Sequence, residues 1–234
     1  MKRFLTARWQ DLIMANYEVD PSLLESRLPA GTSFDLHEGK CFVSLVGFMF
    51  LDTRVLGIPI PYHRDFEEIN LRFYVKRETE DEVRRGVVFI REIVPRCAIA
   101  FVARNLYGEP YEAARMWNRN DAGKVKYGAL NFKGINTIKV TRGRRLGVPE
   151  TGSHEEFIIE HYWGYTRRGD YRTDEYKVEH PKWELYEVRH PKIKVNFAGW
   201  YGKEFAHLRT KTPYSVVLAR GSEIAVYKGK PIHL

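Results

Sequence analysis

Residues 67–76 alternate strictly, with Ile69, Leu71, Phe73 and Val75 on one face of a predicted strand and Glu68, Asn70, Arg72 and Tyr74 on the other. A face bearing a carboxylate, an amide, a guanidinium and a phenol suits two tasks. The arginine fork can grip a planar carboxylate, and a neighbouring glutamate with a shifted pKa can act as acid or base. Farther along, residues 109–112, Glu-Pro-Tyr-Glu, place Tyr111 and Glu112 on a tight turn behind Gly108. Arg91, Glu92 and Arg104 lie on neighbouring predicted elements, and the proline-interrupted loop 57–65 carries Tyr62, His63 and Arg64. If the polar face is enclosed, Glu68, Tyr111 and Glu112 form a catalytic group, and Arg72, Tyr74, Arg91, Arg104 and His63 a ligand-binding group. If it meets water, the same residues are cross-strand ion pairs on a solvated sheet. Enclosure is the favoured reading, because the following strand, 86–93, is apolar on both faces until Arg91 and Glu92.

The elements that must position these groups are mostly strands. Residues 6–17 read as a first strand. Residues 40–51 read as a strand buried on both faces, bent or bulged at Gly47. Residues 67–76 and 86–93 form a hairpin across a charged connection. Short strands follow over 136–141, 156–166, 174–179 and 183–189, and 214–218 pairs with 223–227 as a closing hairpin. Asp20 and Pro21 cap and open a short helix with Leu23, Leu24 and Leu28 as its apolar stripe. Pro95 leads into an apolar helix over 97–107 that Gly108 ends, and Arg104 on it either points to an enclosed site or snorkels outward. The fold class is α+β, mainly antiparallel β, closed into a barrel or sandwich with the helix packed against it. No Pro/Gly/Ser-rich linker divides the chain, so a single domain over 1–234 is expected.

Composition excludes several classes. At 234 residues, 44% hydrophobic and 14% aromatic, the chain can bury a sizeable core and is not disordered. Lys and Arg total 38 against 30 Asp and Glu, a net charge of +8, but the basic residues are interleaved with acids. The densest basic run, residues 141–145, is too short and loop-like to argue for a groove binder, which leaves nucleic-acid binding as the less favoured reading. Cys41 and Cys97 sit in apolar contexts without metal-ligand spacing, as buried free thiols of a reducing compartment. No leader-like or membrane-length apolar run occurs, so a cytoplasmic protein is expected. His154-Glu-Glu-Phe-Ile does not complete His-Glu-x-x-His, and His161 falls seven residues on within an apparent strand. His180 and His190, each followed by Pro-Lys, read as strand ends. No Ser-His-Asp grouping, phosphate loop or dinucleotide fingerprint is present, so neither metal nor cofactor is expected.

Several stretches carry a resemblance to a known family. These are 17–24 (Tyr-Glu-Val-Asp-Pro-Ser-Leu-Leu), 66–75 (Phe-Glu-Glu-Ile-Asn-Leu-Arg-Phe-Tyr-Val), 86–93, the 95–116 helix and turn, and 218–223. The sequence resembles the YqjF-like family of conserved proteins, grouped with the acetoacetate decarboxylase-like superfamily. That resemblance implies a closed or nearly closed β-barrel, and it makes Glu68 the match for a pocket glutamate of the decarboxylases. In those enzymes the residue after the turn proline is the Schiff-base lysine, followed by a second lysine. Here the two positions are Tyr111 and Glu112, and neither side chain can form an imine with a ketone. Two functions fit: a pocket that binds a small carboxylate-bearing molecule, or an enzyme using Glu68 or Glu112 as acid-base, Arg72 as carboxylate clamp and Tyr111 as proton donor.

Overall fold

The computed structural model describes residues 2–59, 61–96, 108 and 110–232. The helix expected over 97–107, with Cys97 and Arg104, lies outside the described residues. In chain order the strands are β1 (Arg3–Val19), β2 (Ser33–Phe34), β3 (Cys41–Val55), β4 (Ile58–Pro59), β5 (Phe66–Glu78), β6 (Val83–Val94), β7 (Tyr111–Ala113), β8 (Arg115–Asp121), β9 (Lys124–Asn131), β10 (Gly134–Gly147), β11 (Trp163–Arg167), β12 (Thr173–Glu179), β13 (Leu185–Lys194), β14 (Ser215–Ala219), β15 (Glu223–Tyr227) and β16 (Lys230–Ile232). Among the described residues two short α-helices, α1 (His154–Ile159) and α2 (Phe197–Tyr201), interrupt the strand series.

Strand pairing runs β1–β3–β5–β6–β11–β12–β15 and back to β1, which makes the sheet ring-like. Every step is antiparallel except β6–β11. A second arm leaves β1 through β14 and continues through β13, β10, β9 and β8.

The alternation of β5 sorts its side chains into two cores. Ile69, Leu71, Phe73 and Val75 join Ile13, Val43, Tyr127, Ile138 and the α2 residues Phe197 and Trp200 in an outer core beneath the second arm. Leu12, Met14, Val46, Phe48, Phe66 and Tyr74 join the α1 residues Phe157, Ile158 and Ile159 in an inner core. β3 is buried on both faces from Cys41 to Phe48, as its unbroken apolar run requires. Cys41 itself is a buried free thiol that burial pushes up to about 11.

Three local expectations are corrected. The bulge placed at Gly47 lies on the partner strand, where the register shifts between Gln10 and Ile13 and Asp11 takes φ 56°. Gly47 instead admits the second arm, since a Cβ there would sit 2.9 Å from Ile138 Cγ2. Over 156–166, the first residues belong to α1, because Ser153 caps it by accepting from the Glu156 amide at 3.2 Å and the Glu156 carboxylate accepts from the Gly152 amide at 2.7 Å. A capping signal here outweighs the β-prone run Phe157-Ile-Ile. Finally, β14 and β15 form no hairpin. Both pair with β1 in succession, Ala219–Ser215 against Leu12–Asn16 and Glu223–Tyr227 against Arg8–Arg3, and the residues between loop past the Asp11 bulge.

The basic run noted above is engaged within the chain, Arg142 with Asp11 and Arg145 with Glu184. Among the described residues no helix is long and apolar enough to cross a membrane.

The ring depends on a close approach at β6–β11, where Gly86 faces Trp163. A Cβ on Gly86 would lie 2.5 Å from the Trp163 carbonyl oxygen and 2.7 Å from the Tyr165 ring, whereas one on Gly169 would meet nothing within 4 Å. Gly86→Ala is therefore expected to cost roughly 2 kcal/mol or more, as overpacking does, and Gly169→Ala close to nothing. Urea denaturation of both variants checks this, and equal midpoints would refute the close approach.

Candidate functional site

The inner face of β5 opens on a cavity of about 250 Å³ that takes lining residues from every strand of the ring. Trp9, Phe48, Phe50, Phe66, Phe89 and Trp183 give it aromatic walls. The polar groups sit on neighbouring strands in a fixed order. Strand register places Asn70 beside Glu92, and Glu92 beside Tyr111 across the parallel β6–β7 pair. Glu68 and Arg72 flank Asn70 one inward position away on either side, with Arg72 beside Ser44 of β3. Exposures of 2% for Glu68, 1% for Asn70 and 2% for Glu92 decide between the two readings of this face: it is enclosed.

Within that row Asn70 Nδ2 donates to Glu68 Oε1 at 2.8 Å, and the Tyr111 hydroxyl donates to Glu68 Oε2 at 3.5 Å. Burial first, then the charges of Glu68 and Glu92, hold the Tyr111 proton well above the ordinary phenol range. Tyr111 is thus a neutral hydrogen-bond donor and a weak acid. Among the described residues Arg72 is the guanidinium that lines the cavity. Its Nη2 reaches the Ile158 carbonyl at 3.4 Å and the Met14 sulfur at 3.8 Å. Its Nε is buried without a partner, and it forms no ion pair among the described residues. Tyr74 lies beneath Arg72, its ring 5.6 Å from the guanidinium, and is not in the cavity wall. Its hydroxyl shares a 2.6 Å hydrogen bond with Ser44, which donates to Asn16 at 2.6 Å. His63 lines the cavity from the loop before β5, and its Nδ1 donates to the Pro61 carbonyl at 2.7 Å.

Arg91 and Glu112 stand elsewhere. They pair with each other at 2.7 Å, and Glu112 also accepts from Lys133 at 2.5 Å and Asn131 at 2.8 Å. The cause is the strand period of two. Glu92 and Tyr111 share the inner face, so their neighbours Arg91 and Glu112 turn to the outer one. Arg104 lies outside the described residues.

Two cavity histidines were read in the sequence as strand residues. His180 and His161 both line the wall, and no spacing in the sequence marks either. His161 follows α1, and its Nε2 donates to Asp35 Oδ2 at 3.0 Å, while Arg85 Nε donates to the same oxygen at 2.6 Å. Burial alone would raise the Asp35 carboxyl, but the hydrogen bonds from His161 and Arg85 outweigh it and hold it below the ordinary range. Burial also pushes His161 down to about 4, the Asp35 hydrogen bond opposes this, and the charges of Arg85 and Arg72 add to it.

That depression links acidity to stability. With a folded value of about 4 against 6.5 unfolded, the unfolded chain takes up the proton first. Stability from this group is therefore full above pH 6.5 and falls as the pH is lowered toward 4, by roughly 2–3 kcal/mol at pH 4.5. Urea denaturation at pH 7 and 4.5 should show this loss in the wild type and a smaller one in His161→Gln, whatever that variant's stability at pH 7. A wild-type stability that rises through the window would contradict the buried neutral imidazole.

The profile of the DUF2071 family, described as an uncharacterized conserved protein, matches residues 6–223. The uncharacterized protein YqjF of Bacillus subtilis (strain 168) is 26% identical over 194 residues, spanning 80% of this chain and 77% of its own. The acetoacetate decarboxylase of Legionella pneumophila subsp. pneumophila str. Philadelphia 1 superposes with a TM-score of 0.69 at 12% identity, over 98% of this chain and 87% of its own. The enduracididine biosynthesis enzyme MppR, in its complex with pyruvate, superposes with a TM-score of 0.65 at 12% identity, over 99% and 91% of the two chains. At such identities the structural likeness speaks for the fold alone. The match over 6–223 shows that the chain belongs to the DUF2071 family of uncharacterized conserved proteins, and its fold is acetoacetate decarboxylase-like.

Proposed function

We propose that the ring-like sheet acts as a decarboxylase-like barrel whose cavity binds a small carboxylate-bearing molecule on Arg72, without Schiff-base chemistry. The observation that carries this reading is Arg72 itself, a half-buried guanidinium in the cavity wall with no carboxylate partner among the described residues. A cation drawn from water without an ion pair is costly, and a bound carboxylate would offset that cost through two parallel hydrogen bonds. The aromatic walls suit the apolar remainder of such a ligand. The pyruvate complex of MppR is one case of a small carboxylate bound by a protein of similar fold. Among the described residues no lysine lines the cavity, and Tyr111 supplies no amine, which supports the absence of an imine intermediate.

A second reading, an enzyme, draws on the Glu68–Tyr111 contact. It puts the acid-base role on Glu68, because Glu112 is neutralised by Arg91 and Lys133 on the outer face. Under this reading Tyr111 steadies developing negative charge by hydrogen bonding.

A thermal-shift screen of small keto, hydroxy and aromatic carboxylates tests the binding reading. A ligand of the folded state raises the midpoint by mass action, and Arg72→Ala should abolish the shift. No shift with any acid, or shifts that persist in Arg72→Ala, would refute it. Glu68→Gln separates the two readings once a ligand is found: binding is retained in both, and product formation is lost only if Glu68 is a catalytic base. Borohydride with a keto acid should give no covalent adduct, and a stoichiometric adduct would restore a Schiff-base mechanism.

A further inference from the structure

We propose that His180 Nε2 is a second fixed polar contact of the cavity, accepting a hydrogen bond from a hydroxyl of the carboxylate held by Arg72, so that the preferred ligands are hydroxy acids. The inference rests on the carboxylate reading and narrows its ligand class.

The His180 ring is clamped between two aromatic faces. It stacks on Trp183 at 4.0 Å with 16° between planes, and Tyr162 packs 4.7 Å away at 32°. Rotation is further fixed by a 3.0 Å hydrogen bond between Nδ1 and the Pro181 carbonyl. A carbonyl oxygen only accepts, so Nδ1 carries the proton and Nε2 keeps its lone pair. The residue lines the cavity together with Arg72. The other cavity histidines are not equivalent. His161 Nδ1 is fully buried without a partner, and the half-buried His63 belongs to a loop. His180 is thus a rigid acceptor on the wall, set on the strand-free segment between β12 and β13.

The charge state of the ring selects the donor. Burial pushes His180 down to about 4, the Pro181 hydrogen bond works against this, and the Arg72 charge adds to the depression. The ring is neutral at pH 7 and offers Nε2 as an acceptor only. An ammonium group reaching it would meet the Arg72 charge in a site of low dielectric. A ketone has no hydrogen to give, and a methylene leaves the acceptor unpaired. A hydroxyl satisfies both conditions, because it is uncharged and it donates. Loss of one such hydrogen bond in a partly buried site corresponds to about a five- to tenfold change in affinity.

Three acids of one skeleton test this: mandelate, benzoylformate and phenylacetate, which carry a hydroxyl, a ketone and a methylene beside the same carboxylate and ring. Calorimetric titration at pH 7.5 of the full chain should show mandelate binding about five- to tenfold more tightly than the other two. His180→Phe, which keeps the stacking and removes the acceptor, should equalise the three affinities. His180→Gln, which keeps an acceptor of similar reach, should retain part of the preference and guards against a Phe variant that fails to fold. Arg72→Ala should weaken all three alike. Equal wild-type affinities that still depend on Arg72 would overturn the His180 inference alone, as would a mandelate preference that survives in His180→Phe. Failure of all three acids to bind, together with no shift from any acid of the thermal screen, would overturn this inference and the carboxylate reading together.

Discussion

β1 cannot complete its hydrogen bonding with one partner on each side, and the architecture follows from how that is resolved. One edge of the strand runs along β3 for nearly its whole length. The other is divided, β15 taking Arg3–Arg8 and β14 taking Leu12–Asn16. Between them Asp11 adopts φ 56°, a conformation that costs an L-residue on the order of 1–2 kcal/mol and that aspartate tolerates better than most. Its amide donates to the Arg220 carbonyl, and its carboxylate is held by Arg142 and Asn120. The bulge lets the first half of β1 close the ring through β15 and β12 while the second half opens the outer arm through β14 and β13. One left-handed residue therefore separates the cavity from the outer core.

Enclosure then sets the electrostatics of the site. Once β3, β5 and β6 have protein on both faces, every polar residue of inward parity leaves water and must find its partners inside. Asn70 and Tyr111 both donate to Glu68, while Asn70 Oδ1 is buried without a partner among the described residues. Asp35 accepts from both His161 and Arg85 in a separate group, with the imidazole neutral. Among the described residues Arg72 reaches only a backbone carbonyl and a thioether, weak acceptors for a full charge.

The parts of this that were legible in the sequence are those fixed by the period of the backbone. The alternation over residues 67–76 assigns Glu68, Asn70 and Arg72 to one face, and the two-sided apolar character of the adjacent strands puts that face inside. The same period misleads when applied to chain neighbours. Arg91 and Glu112 adjoin Glu92 and Tyr111 in sequence, and for that reason point the opposite way. The β14–β15 error has another origin, since a short loop between two strands signals a hairpin only if neither has a better partner, and β1 is better for both. His180 carried no signal at all. Its place depends on Trp183 three residues on and on Tyr162 from a different segment.

Tyr111 and Glu112 stand where the resemblance to the decarboxylases would put two lysines, and their surroundings bear on that difference. An amine becomes nucleophilic at neutral pH only if its surroundings disfavour the ammonium, through desolvation or a neighbouring cation. At position 111 burial first, and then the charges of Glu68 and Glu92, disfavour the phenolate of Tyr111; for an amine the burial would disfavour the ammonium and the two carboxylates would favour it. Position 112 lies on the outer face among Arg91, Lys133 and Asn131, out of reach of the cavity. A lysine at position 112 would be turned away from the cavity. The fold is acetoacetate decarboxylase-like, Tyr111 packs against its inner core, and among the described residues the cavity is lined by the Arg72 guanidinium and the His161 and His180 imidazoles, with no lysine.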